Sequence, residues 1–208
     1  AAEKGSKANF TRDEKLEAFA PVLKGDVPVL VMANDDRDIK NAVEFCEKQK
    51  LKMILGGGRE AWKVKDFLKQ KNIPVILDST QSLPASEDDP YDKPYSAPGE
   101  LVAAGVKIAF ATFDTGFART LPYEAGHAVG YGLSHDEALK AVTINPAQMF
   151  GVDKELGTIE QSKIANLIVT NGDPLEIQTE VRYLFNKGQL TSTDNKHRHL
   201  YEKYRVRP

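Results

Sequence analysis

The sequence predicts an α/β fold built on a parallel sheet, and three observations carry that prediction. Four short, nearly continuous apolar runs occur before Phe113, of the kind a strand shows when it is covered on both faces. Stretches with helical apolar spacing separate them. Those stretches are long enough to carry the chain back to the same sheet edge, which neighbouring parallel strands require.

Taken in order, Thr11-Arg-Asp-Glu14 reads as a capping box opening a helix to about Leu23. Val27-Pro-Val-Leu-Val31 reads as the first strand and Asp38 to about Lys50 as an amphipathic helix. In that helix Ile39, Ala42, Val43 and Cys46 share one face, so the lone thiol is predicted to be core, and it has no partner for an internal disulfide. Leu51 to Leu55, a glycine run, and a helix from Glu60 to Lys71 repeat the unit, with Ala61, Val64 and Leu68 on one side. Ile73 to Leu77 and Val106 to Thr112 supply two further strands. Beyond Thr112 the pattern is helical: Ser134-His-Asp-Glu137 is a second capping box, and Asn145-Pro146 reads as cap and first position of a short helix stopped by Gly151. From Gly157 a small antiparallel unit is predicted, Ile164–Thr170 and Val181–Asn186 around an Asn171-Gly172-Asp173-Pro174 turn. The basic stretch from Asn195 to Pro208, with His197 and His199, reads as a solvated tail.

Composition narrows the function. With 28 basic against 30 acidic residues and a formal charge of -2, the chain has no electrostatic footprint for nucleic acid. No apolar run approaches the roughly 20 residues of a spanning helix, and the first ten residues lack a signal-peptide pattern, so neither membrane entry nor a leader is expected. The compartment stays open, because a larger parent protein can carry a targeting segment.

In parallel α/β sheets ligands gather at the strands' C-terminal ends, so the four loops there carry the candidates. Asp35 and Asp36 after the first strand read as a helix start, where acids favour the dipole, rather than as a cation site. Gly56-Gly57-Gly58-Arg59 leads into a helix, a geometry that can hold an anion on backbone N–H groups, while a ligand-free tight turn fits equally well. The third loop, from about Asp78 to Pro98, is long, acidic and proline-rich, and reads either as a lid or as a stiffened surface loop. In the fourth, Asp114 lies just past a buried strand near Arg119, placed to act as general base or metal ligand, or simply to cap the following turn.

Several blocks then add up. Pro28 to Asn34 with Asp38-Ile39, Gly57 to Trp62, Asp89 to Asp92 and Leu121 to Gly126 come in one order, followed by Ala141 to Ala147, Gly151, Leu156 to Ile159, Ala165 to Val169 and Gly172 to Pro174. In that order and spacing the chain resembles the amidohydrolase superfamily, nearest its imidazolonepropionase-like members, from about Glu14 to the C-terminus. The resemblance implies metal-dependent hydrolysis of amide or other C–N bonds on an eight-stranded barrel with a small β-sandwich. The matched strands look like the barrel's fifth to eighth, and Gly157 to Leu190 like the C-terminal share of the sandwich. A whole barrel takes about 250 residues, so a half TIM barrel of about four parallel βα units plus a sandwich fragment is expected. The organisation implied is a flexible segment 1–10, a half barrel 11–156, a sandwich portion 157–190 and a tail 191–208.

The family's chemistry uses a His-x-His pair on the first strand, ligands on middle strands and an aspartate after the eighth. Here no histidine precedes His127, and Met32 stands where many relatives carry one after the fifth strand. Asp114 alone matches a catalytic position, with Gly57, Gly58, Arg59 and Arg119 as candidates for binding a small-molecule substrate. His127 and His135 read as packing or surface residues. The expectation is a hydrolase half with no zinc or other divalent metal of its own, catalytically silent alone, paired with a second copy or a missing N-terminal half. The second reading is a non-catalytic module holding a small anion at Gly56–Arg59.

Overall fold

The computed structural model describes residues 13–206. The expected cap at Thr11 and the terminal segment 1–10 lie outside those residues. Asp13 caps the first helix instead, its Oδ1 accepting from the N–H groups of Lys15 and Leu16 at 2.9 and 3.2 Å. That helix, α1 (Glu14–Glu17), stops and α2 (Ala20–Lys24) restarts, with Pro21 in its first turn. A proline fits a first turn but would break the hydrogen-bond ladder of one continuous helix at this point, so the single expected helix is two.

The alternating pattern then appears as β1 (Val29–Ala33), α3 (Asp36–Lys48), β2 (Met53–Gly57), a 3-10 turn (Ala61–Val64) running into α4 (Lys65–Gln70), β3 (Val75–Leu77), α5 (Lys93–Ala103) and β4 (Ile108–Phe110). The strands are all parallel, in the order β1-β2-β3-β4. Each begins two residues after its apolar run does, and for β2, β3 and β4 the cause is local. Leu51, Ile73 and Val106 donate their N–H groups back to Cys46, Leu68 and Leu101 at 2.9 to 3.0 Å, closing the preceding helix. Lys50, Asn72 and Gly105, each just before, take the left-handed conformation. These are three Schellman endings, whose outer residue is apolar because it packs back on its own helix.

The sheet has two unlike faces. Ile39, Val43 and Cys46 of α3, Leu68 of α4 and Leu101 of α5 pack against Leu55, Val75 and Ile108. On the opposite face Ile54, Ile76 and Ala109 form a smaller cluster with Met149, while Leu30 and Met32 of the edge strand are 40% and 55% exposed. Burial of each large side chain in the first cluster stabilises by about 1.5–3 kcal/mol, so the helix-bearing face holds the fold together.

After a 3-10 turn (Ala118–Thr120) come α6 (Leu121–Gly130), α7 (His135–Ala141) and α8 (Ile144–Met149). The Ser134 hydroxyl accepts from the Glu137 N–H at 3.3 Å, as its capping box predicts. Asn145 is not a cap: Thr143 holds that position, and the buried Asn145 amide donates to the Ile108 carbonyl at 2.9 Å, tying α8 to β4. The antiparallel sheet comprises β5 (Leu167–Thr170), β6 (Val181–Asn186) and β7 (Gln189–Thr191). Its β5–β6 connection is longer than the predicted turn and continues to Glu180, whose N–H bonds the Asn171 side chain at 2.8 Å. Within it Leu175 is buried, and Gly126 has no side chain because a Cβ there would lie 2.5 Å from the Leu175 carbonyl. The solvated tail carries α9 (Lys196–Tyr204), which buries no residue. Among the described residues no helix is long and apolar enough to cross a membrane.

Candidate functional site at the mouth of the sheet

The parallel register sets Met32, Gly56, Ile76 and Ala109 side by side across all four strands, on the face opposite the helices. On that face it is the last row before the strands' C-terminal ends. The Met32 sulfur lies directly over Gly56, where a Cβ would come within 2.5 Å of it. The row therefore offers one thioether and no imidazole or carboxylate.

Beyond it the chain turns at Gly57 and Gly58, both left-handed with φ of 86° and 64°. Their N–H groups were candidates for an anion cradle, but the structure engages the surrounding backbone internally. Gly58 N–H donates to the Ala33 carbonyl, Glu60 N–H to Asn34 and Ala61 N–H to Gly58, all at 2.9 Å. The glycines thus bind the β1 loop to the β2 loop. Glu60 continues the stitch, its Oε2 accepting the Asp36 N–H at 3.0 Å. The start of α3 is thereby capped from a neighbouring loop rather than by Asp35, and Asp36 pairs with Lys40, which holds its carboxyl below the usual range. Arg59 stays exposed, its guanidinium without hydrogen bond or ion pair among the described residues.

The third loop is shorter than expected, because Lys93 to Ala103 is helix, with Pro94 in the first turn and Pro98 inside. The loop is pinned twice. Asp89, nearly buried, pairs with Lys63 at 2.9 Å, and Glu60 and Asp89 together raise the Lys63 ammonium above its ordinary value. At the other end stands Glu124 of α6, 1% exposed. Its carboxylate accepts from the Thr80 N–H and hydroxyl, both at 2.7 Å, from the Ser79 hydroxyl at 3.0 Å and from the Gln81 N–H at 3.2 Å. Sequence reasoning missed this residue. An acid in a first turn reads as a dipole partner, and only its membership in the Leu121–Gly126 block marked it.

Asp114 lies four residues past the end of β4, exposed, with its Oδ1 accepting the Gly116 N–H at 2.6 Å. Arg119 donates to the Gly116 carbonyl at 3.0 Å, so both residues stabilise one turn. Phe113 before them is left-handed, φ 47°, an unusual conformation for an aromatic residue. The structure does not bring the four substrate-binding candidates together. Gly57, Gly58 and Arg59 line a small cavity with Trp62, whereas Arg119 lines a separate groove with Tyr123 and His127. His127 is exposed and stands edge-on to Tyr95, and His135 pairs with Asp173 at 2.7 Å, linking α7 to the Leu175 turn.

The donor set does not fit a divalent ion. Among the described residues no three of His, Cys, Asp or Glu stand close enough together to hold one. Cys46 is buried on the inner face of α3, and burial pushes its thiol up, away from the thiolate that a metal needs.

Comparison with known proteins places this geometry. The sequence pattern of the amidohydrolase family matches residues 68–193. Imidazolonepropionase from Flavobacterium psychrophilum is 32% identical over 134 residues, covering 61% of this chain and 30% of that protein. An N-substituted formamide deformylase from Arthrobacter pascens is 45% identical over 64 residues, 30% of this chain and 11% of that protein. Among solved structures, an amidohydrolase from Thermotoga maritima superposes with a TM-score of 0.77 at 26% identity, over 88% of this chain and 48% of that one. The chain therefore spans about half of that structure and under a third of those curated relatives. Four parallel strands with a small antiparallel sheet, the half-length superposition and a pattern match over most of the chain make it a member of the amidohydrolase family.

Proposed function

We propose that this chain is the second half of an amidohydrolase-type enzyme that cleaves a non-peptide C–N bond in a small molecule, and that it is silent alone. The observation that carries this reading is the mouth row Met32, Gly56, Ile76 and Ala109, which supplies no ligand for a metal. A thioether is a poor donor for the zinc-like cations such hydrolases use. The imidazoles then have to come from polypeptide beyond this sequence, either a half carrying the first four strands or a partner chain. In that assembly Asp114, in the loop after β4, is the group available to take a proton. Its turn with Gly116 holds one oxygen, and the residue is exposed.

The test is metal analysis of the purified chain together with assays on amide and cyclic C–N substrates. The expected outcome is sub-stoichiometric zinc and no turnover above buffer. One zinc per chain with turnover abolished by Asp114→Asn would overturn the claim of silence.

A further inference from the structure

The cavity beside Arg59 has a feature that packing leaves unexplained. Among the described residues, Trp62 Nε1 is the buried side-chain polar atom with no hydrogen-bond partner. An indole N–H is a donor only, and a buried one usually finds an acceptor. The cavity that Trp62 lines lies between the Ala61–Val64 turn and α5, under the loop that Glu124 and Lys63 pin. Its volume is about 40 Å³. A single water needs roughly 10–15 Å³ by that measure, so there is space for more than one water and for less than a ring-sized ligand.

The charges around it select the ligand's sign. The Lys93 ammonium sits 4.2 Å from the centre of the Trp62 ring and the Lys63 ammonium 5.3 Å from it, and Arg59 stands at the wall without an acidic partner. The acids of the lining are engaged: Asp89 by Lys63 and the Ser86 N–H, Asp78 by the Ser79 N–H. Lys63 is itself paired with Glu60 and Asp89, and Lys93 with Glu100, so among the described residues Arg59 is the cation of the wall left without a counter-charge. What the site lacks is a compact acceptor with negative charge, and a carboxylate fits, since it accepts from the indole while pairing with a guanidinium.

We propose that this cavity is a binding site for a small aliphatic carboxylate, held by the indole N–H of Trp62 and the guanidinium of Arg59. It differs from the cradle expected at the glycines, whose neighbouring N–H groups are consumed by the β1 and β2 loops. The cavity reaches the strand ends at Gly57 and Leu77 but not the Met32 row, and because binding is measured there without turnover, its failure and that of the hydrolase reading are distinguishable.

The chain has a single tryptophan, so nitrogen-15 labelling gives one indole N–H resonance, that of the proposed donor. Sodium formate and sodium acetate are titrated against sodium chloride at matched ionic strength, with sodium benzoate as an oversized control. The expected result is a saturable shift with formate or acetate, none with chloride or benzoate, and affinity weaker by about tenfold or more in Arg59→Gln, the scale of one charge-assisted hydrogen bond. Arg59 is exposed, so that substitution leaves the fold intact. Trp62→Phe, followed by calorimetry, keeps the ring and removes the donor, and binding is expected to be lost. A non-saturable response, a shift shared by chloride, undiminished affinity in Arg59→Gln, or binding retained in Trp62→Phe would each overturn the site and leave an ordered water as its occupant.

Discussion

Glu124 shows how much a single side chain decides here. A carboxylate at 1% exposure, with no cation paired to it among the described residues, is tolerated because hydroxyl and amide donors surround it. Glu124→Gln turns one acceptor oxygen into a donor that faces other donors. We predict a loss of roughly 2–4 kcal/mol, read as a lowered urea midpoint, with increased exchange of the Thr80 and Gln81 amides. Unchanged exchange at those amides would mean that the loop is held by something else. Glu100 makes a different prediction. Its partial burial pushes the carboxyl up, but the Lys93 and Lys65 ammoniums outweigh that and leave it lowered. A lowered carboxyl contributes stability that is fully present above the unfolded value, about 4.3, and that is lost as pH falls through the folded value. Glu100→Gln should therefore be less stable than the parent at pH 6, with the gap closing below about pH 4. A gap that persists at pH 3 would refute the assignment.

Between elements, the loops at the strand ends bind one another more than they bind the helices they lead into. The Gly57–Gly58 turn is the clearest case, since its backbone links Ala33, Asn34 and Glu60 into one layer. Gly58 is left-handed, and a Cβ there would lie 3.0 Å from Val75 Cγ1 and 3.3 Å from Ala61 Cβ. Gly58→Ala is predicted to cost about 1–3 kcal/mol from strain alone, visible in thermal melts as a lower midpoint with unchanged helical signal at low temperature. A neutral substitution would mean that the turn relaxes freely and holds no loops in register.

At the scale of the molecule, the outer edges of β1 and β4 have no partner strand among the described residues, and Leu30 and Met32 of β1 stand exposed. Such edges and apolar faces pair with other polypeptide. The small sheet adds Ile168, Val169, Tyr183 and Leu190, all exposed. We propose that the chain associates, either with a second copy or with a half bearing the first four strands. Light scattering at micromolar concentration is expected to show a dimer or larger species for the chain alone, and Met32→Lys to shift it toward monomer. A stable monomer, or a dimer indifferent to Met32→Lys, would reject this face as the interface.

The sequence by itself determined the four strands, their parallel order and the family, because burial on both faces and helix-length connections leave a one-dimensional trace in runs such as Leu51 to Leu55 and Ile73 to Leu77. It also marked Cys46 as core and Ser134 as a cap, since both depend on near neighbours. The apolar runs did not show where β2, β3 and β4 begin, because Leu51, Ile73 and Val106 spend their N–H groups on the endings of the helices before them. The tertiary structure alone separated Arg59 from Arg119, consumed the N–H groups around the glycines in loop contacts, turned Asn145 from a cap into a tie, and buried Glu124 among donors more than 40 residues away in the chain. Each of those last four outcomes rests on a hydrogen bond or a distance between segments remote in sequence, whereas the strand starts follow from bonds spanning about one helical turn. Hydrophobic periodicity reports which residues leave water, but not which polar partner each one meets when it does.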